Sequence, residues 1–247
     1  VASVVLYMFW AFFFGLIFWL RREDRREGYP LESDNPRRVA RPGPVMIPAP
    51  KTFLLPHGGT YDAPNFERDI REIKAERTAA SAGAPLEPIG DPLLSGVGPA
   101  SYAMRADVPE QTREGHDAIV PMRVAEDFAV NAGADPRGWN VIAADGEVAG
   151  VIKDLWVDRA DIMVRYVEVE LGKDGQTGGR RLLPITMLRI LKEHRKVEVK
   201  AVRAGQFAGV PTLKDPDRIT ILEEERICAF YAGGRLYADP KRLGPVL

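Results

Sequence analysis

The sequence predicts a single N-terminal transmembrane helix followed by a mainly-β domain, a small antiparallel barrel-like sheet. Three observations predict it: an uncharged apolar run at the start, a proline-dense stretch after it, and period-two alternation beyond. They divide the chain into a membrane helix over residues 1–22, an extended arm over 23–95 and a β-barrel-like domain over 96–247.

Val1 to Leu20 carries no charged side chain. Twenty helical residues rise about 30 Å, the thickness of a bilayer's hydrocarbon core. The run is apolar on every side, unlike a surface helix with one buried stripe. Trp19 sits where an interfacial ring belongs. A secretory leader puts its basic residues first and a small-residue cleavage site last. Here Arg21, Arg22, Arg25 and Arg26 follow the apolar run, which favours a span over a leader. The same arginines predict a periplasmic N-terminus and a cytoplasmic bulk. Ala11 and Gly15 share a helix face and would admit a neighbouring helix; lipid-facing filler is the equal alternative.

Prolines punctuate the next stretch, among them Pro30, Pro36, Pro42, Pro44, Pro48, Pro56, Pro64 and Pro85. Each restricts itself and its predecessor to extended backbone, so the arm is not mostly helix. Phe66 to Ala82 is the exception, a short polar helix. Phe53, Leu54 and Leu55 favour an arm laid along a partner's surface over free disorder.

Beyond Gly96 the alternation of Lys196 to Ala201 marks a strand with one wet face. Arg165 to Leu171 repeats it, with Val167, Val169 and Leu171 facing in. Val148 to Val157 and Arg218 to Glu223 read as further strands. Lys173-Asp174-Gly175 and Gly233-Gly234 read as turns. Asp239 to Leu243 reads as a closing helical turn. Short strands between such turns make a small barrel or sandwich.

The formal net charge of -1 argues against a nucleic-acid partner. Cys228 is the sole cysteine, so no internal disulfide forms. No nucleophile elbow, phosphate loop, dinucleotide fingerprint or zinc spacing is present, and His57, His116 and His194 are scattered. The residues predict no enzyme centre of the chain's own. Glu110, Glu114, His116, Asp117, Asp158, Asp161, Glu168, Glu170, Glu223, Glu224 and Glu225 admit two readings. One is a solvated surface; the other is a proton-conducting cluster, in which crowded carboxylates raise one another's pKa.

A set of motifs runs in order along nearly the whole chain. It begins with Arg26-Glu27-Gly28-Tyr29-Pro30-Leu31-Glu32, Pro50-Lys51-Thr52-Phe53 and Leu55-Pro56-His57-Gly58. Gly90-Asp91-Pro92, Gly96-Val97-Gly98-Pro99-Ala100-Ser101 and Trp156-Val157-Asp158 follow. Glu168-Val169-Glu170-Leu171, Leu182-Leu183-Pro184, Phe207-Ala208-Gly209-Val210-Pro211-Thr212 and Tyr237-Ala238-Asp239-Pro240-Lys241-Arg242 complete it. The chain thereby resembles the H subunits of purple-bacterial photosynthetic reaction centres. Gly146 and Gly150, a strand ending at Asp158, and Leu183-Pro184 also resemble the PRC-barrel family.

The first resemblance implies a subunit of the bacterial inner (intracytoplasmic) membrane that caps the cytoplasmic face of the L and M subunits. It implies that the cap shields the quinone sites and conducts protons to the secondary quinone. The chain itself would bind no cofactor; bacteriochlorophyll, bacteriopheophytin, quinones and non-haem iron would lie on L and M. Membrane lipid and a light-harvesting ring are further expected contacts. By position, Asp158 and Asp161 match the inner acids of the route, with Asp161 standing where a glutamate is usual. Arg165 and Glu224 match a buried charge pair, and Glu114, His116 and Asp117 remain titratable at the surface. Thr112 and Glu114 depart from a surface metal site, which puts zinc binding in doubt. The loop Gly172 to Arg181 is longer than the family pattern and receives no role. The rival reading is a membrane-tethered PRC-barrel adaptor for another protein complex.

Overall fold

A computed structural model describes residues 2–29, 45–55, 58–67, 71–81, 83–131, 133–172 and 178–243. The expectations placed on Pro30, Pro36, Pro42, Pro44, Pro56, His57 and the turn Lys173-Asp174-Gly175 lie outside them. The chain divides into two compact units, residues 1–71 with 81–83, and residues 72–80 with 84–247.

The first unit holds helix α1, Ala2–Glu23, none of whose residues is buried. With its flank, Ala2–Arg26, it is long and apolar enough to cross a membrane, at a mean hydropathy of 2.1. Arg21 and Arg22 close its last turn, where cations complement the helix dipole. Aromatic rings ladder its surface at four-residue spacing, Phe9 on Phe13 and Trp10 on Phe14, at 5.8 and 5.7 Å. Strands β1 (Lys51–Leu54) and β2 (Thr60–Ala63) form an antiparallel hairpin. Arg26 fastens it to the helix end by donating to the carbonyls of Ala49 and Ala63, at 2.8 and 2.9 Å. Glu23 accepts from Arg26 and from Lys51 of the hairpin.

The second unit opens with a small hairpin, β3 (Ala75–Arg77) against β4 (Leu86–Pro88). The helix expected over Phe66 to Ala82 does not form among its described residues. That segment has no apolar stripe to bury, and backbone pairing across a turn satisfies its polar groups instead.

The main sheet has seven strands: β5 (Ile119–Pro121), β6 (Asn140–Ile142), β7 (Val148–Asp158), β8 (Met163–Leu171), β9 (Arg180–Pro184), β10 (Leu188–Leu191) and β11 (Lys196–Val199). Their order is β10-β11-β6-β7-β8-β9, with β5 also on β7. All pairs are antiparallel except β11 with β6. The two ends of that order, β9 and β10, are joined through Ile185–Met187 alone. In a flat sheet they would stand about 24 Å apart, five strand spacings. A link that short spans about 14 Å at most. The sheet therefore curls into a barrel.

Val167, Val169 and Leu171 are buried, as alternation predicts, but so are Tyr166 and Glu168 on the opposite face. That face is covered as well. Helix α2, Ile221–Tyr237, contributes Ile227, Phe230 and Tyr231 to the core. The Tyr231 ring meets Phe207 and Phe230 edge-on at 6.0 and 5.9 Å.

Two expectations fail at this helix. Arg218 to Glu223 is not a strand; Thr220 is the N-cap of α2. Its hydroxyl accepts the Glu223 N–H at 3.1 Å, and the Glu223 carboxylate accepts the Thr220 N–H at 2.9 Å. This reciprocal box satisfies two end donors that a strand would have left open. Gly233-Gly234 is not a turn but lies inside the helix. A Cβ on Gly233 would come within 2.7 Å of the Ala100 Cβ, and one on Gly234 within 2.5 Å of Val202. These glycines permit close packing. The expected closing turn is present as a 3-10 turn over Pro240–Arg242.

Candidate proton-conducting site

The site begins where β7 turns into β8. Asp158 ends β7 at 3 % exposure. Its Oδ1 accepts the backbone N–H of Ala160 at 2.9 Å and of Asp161 at 3.1 Å. Those bonds brace a turn whose next residue, Ile162, has φ 54°. Left-handed backbone strains a β-branched residue by about 1–3 kcal/mol and persists only where the surroundings hold it. The carboxylate thus shapes the turn as well as charging it.

Asp158 Oδ2 accepts Arg165 Nε at 2.9 Å, and the same guanidinium reaches Asp161 Oδ2 at 2.8 Å. One arginine therefore ties a buried carboxylate to a carboxylate that is 58 % exposed. The hydrogen bond that Arg165 donates to Asp158 outweighs desolvation and holds the Arg165 pKa above its ordinary value.

Beside Arg165, Tyr166 is buried and donates its hydroxyl to Glu224 Oε2 at 2.7 Å. Cys228 Sγ, one turn along α2, is 3.8 Å from the same hydroxyl. Burial pushes the Glu224 pKa up, and the negative charges of Glu110 and Asp158 push the same way. The Tyr166 hydrogen bond and the charge of Arg165 oppose them without cancelling the rise. Burial likewise raises the Tyr166 hydroxyl and the Cys228 thiol. The result is a carboxyl group whose pKa lies above its ordinary value, one hydrogen bond from the Tyr166 hydroxyl.

The resemblance put Arg165 and Glu224 together as a charge pair. In the fold Arg165 bonds Asp158 and Asp161, while Glu224 bonds Tyr166. Arg165 acts on Glu224 through its field alone.

The outer residues lie on the segment before β5. His116 O accepts the Thr112 N–H at 2.7 Å, Glu110 O accepts the Ala118 N–H at 2.7 Å, and Gln111 bridges Asp117. This folded loop is held beside the β7 turn, because Ile119 pairs with Asp158 and Arg159 donates to Ala118 O at 2.8 Å. Thr112, Arg113, Glu114, His116, Arg159 and Ala160 line an open depression of about 380 Å³. Among the lining residues, Ala160 donates its N–H to Asp158. Asp117 stands apart from that lining, 3.7 Å from Arg218. Among the described residues, no three His, Cys, Asp or Glu side chains group closely enough to hold a metal ion.

Several chemistry-bearing residues escaped sequence reasoning. Tyr166 lies on the face that the alternation of Arg165 to Leu171 leaves wet, and Cys228 lies on a helix that the sequence did not announce. Glu168 stands among the acids with two open readings, surface or proton cluster; it is 3 % exposed, and Asp154 opposite it is 6 % exposed. Arg123 bridges them, at 2.6 Å to Glu168 and 3.1 Å to Asp154, and reaches Asp217 as well. Trp156 Nε1 and Arg180 complete the Glu168 shell at 3.0 and 2.9 Å. Burial opposes the charge on Arg123, but its carboxylate partners more than offset that and raise its pKa. Glu170 pairs with Lys153 at 2.7 Å, and Glu223 is taken up by the helix cap.

Two family models match this chain in succession. Residues 1–124, half the chain, match the photosynthetic reaction centre H-chain N-terminal region. Residues 129–206 match the PRC-barrel domain, and they span strands β6 to β11 of the curled sheet.

Proposed function

This chain belongs to the photosynthetic reaction centre H-chain family, and from that membership we propose that it caps the cytoplasmic face of the L and M subunits and passes protons inward. Membership makes it a reaction-centre subunit that associates with the other subunits. With helix α1 it is a single-pass membrane protein. The basic flank of α1 supports a periplasmic N-terminus and a cytoplasmic bulk.

The observation that carries the proton role is the pairing of two linked carboxylate stations. Asp161 and Asp158 share Arg165, one exposed and one buried. Glu224 feels the charges of Asp158 and Arg165, has its pKa raised by burial, and is bonded to Tyr166. A quinone held by neighbouring subunits would supply the redox chemistry and take up the protons. This chain's own residues collect a proton at Glu114 and His116, move it past Asp158 and Asp161, and hold it at Glu224. No catalytic constellation is assigned to it, and the pigments and quinones are assigned to the L and M subunits.

The test is flash-induced kinetics in the intact assembly. Asp161→Asn should slow the second, proton-coupled reduction of the quinone and leave primary charge separation unchanged. Glu114→Gln or His116→Ala alone should have smaller effects, because the depression offers both groups. Unchanged proton-coupled kinetics in Asp161→Asn would sink the assignment. A tagged assembly lacking near-infrared pigment bands would instead favour the tethered adaptor.

A further inference from the structure

On another part of the barrel, Trp156, Leu182, Pro211 and Leu213 wall a half-open pocket of about 290 Å³. Its charged lining is unbalanced: Arg180, Arg181 and Lys214 face one carboxylate, Glu168. That carboxylate is already occupied by Arg123, Arg180 and Trp156. Lys214 is tied to Asp107 at the rim.

Arg181 differs from its neighbours. Its guanidinium donates to the carbonyls of Arg180 at 2.8 Å and Ala208 at 3.1 Å. No carboxylate among the described residues meets it, and its Nε is buried without a partner. A guanidinium held by neutral acceptors in a partly dry setting keeps an uncompensated charge, which an incoming anion would relieve.

We propose that this pocket receives one acidic side chain, Asp or Glu beside an apolar residue, from another polypeptide of the reaction-centre assembly. The proposal rests on the family membership that makes this chain a subunit. Charge complementarity calls for an anion, and the apolar walls call for a hydrocarbon stem next to it. The volume lies at the small end of ligand sites, about 300–1,000 Å³, and suits one or two side chains. A bare inorganic anion would leave the walls wet, and a lipid tail would need a deeper cavity.

The experiment uses the full assembly from native membranes, with benzoylphenylalanine replacing the exposed Thr212 at the pocket edge. Irradiation should give an adduct with another subunit, within a few residues of an Asp or Glu. Lys214→Glu in the same chain should lower its yield about tenfold, and reversing the partner's acid to Lys should restore it. An adduct confined to this chain, or with a segment lacking an acid, overturns the proposal. So does a yield indifferent to Lys214→Glu, or a small anion released from the pocket in place of an adduct. Light-induced bleaching is read in the same preparation. Bleaching without an adduct removes the pocket proposal alone; absence of bleaching before substitution removes the reaction-centre reading.

Discussion

Glu224 differs from a surface carboxylate in having lost water without gaining a direct cation. Burial raises its pKa above the ordinary 4.5, so the native state holds this proton over a range in which the unfolded chain releases it. Its contribution to stability is complete below the ordinary glutamate value and is lost as pH rises through the folded value. Infrared titration of the assembly should therefore show a protonated-carboxyl band persisting above pH 4.5, absent in Glu224→Gln. A Glu224 band that vanishes at the pKa of free glutamate would refute this. Arg123 is the opposite case, a cation between two buried acids. Arg123→Ala strands Asp154 and Glu168 without their shared partner and should cost about 3–5 kcal/mol in unfolding. Arg123→Lys should recover only part of it, because one ammonium cannot fork to both. Neither environment was legible from the sequence. Charged letters inside an alternating strand read as its wet face, and only the cover over that face reveals Asp154 and Glu168 as buried.

At the scale of elements, legibility followed locality. Strands β8 and β11 announce themselves by alternation, because the information sits in adjacent residues. Helix α2 does not. Glu223-Glu224-Glu225-Arg226 hides its start in charge, and Gly233-Gly234 imitates its end. The signal available was Thr220 followed three residues later by Glu223, the capping-box spacing. Thr220→Ala should destabilise the unit by about 1 kcal/mol. Gly234→Ala sets better helix propensity, about 1 kcal/mol, against forced overlap with Val202 and the Ala201 carbonyl. Overlap should win, with net loss of about 1–2 kcal/mol by thermal unfolding. The parallel pairing of β11 with β6 was also hidden, since partners far apart in sequence leave no local trace.

For the whole molecule, the apolar helix was the most legible feature, since length and absence of charge suffice to define it. A charge at its middle tests the span directly. Phe13→Arg should oppose insertion by about 2.5–3.5 kcal/mol, read as a shift of the chain out of the membrane fraction. The arm was read as extended, and the hairpin β1 with β2 within it was not foreseen. Its anchor is Arg26 on two carbonyl oxygens, a contact between residues 23 and 37 positions apart. The acid route was legible only in part. Resemblance named Asp158, Asp161 and Glu224, but the partners that set their chemistry, Tyr166 above all, come from the fold.

The link Ile185–Met187 joins strands at opposite ends of the sheet order, and so works as a clasp. Lengthening it with a glycine-serine insert would add little loop entropy, about 0.6 kcal/mol per doubling. The insert would nonetheless remove the constraint that keeps β9 and β10 near each other. Among the described residues β9 and β10 are the end strands of the sheet, and unrolling would open both edges further to neighbouring molecules. Damage at this link should therefore surface first as self-association, with the thermal midpoint nearly unmoved, and lengthening variants are best followed by light scattering.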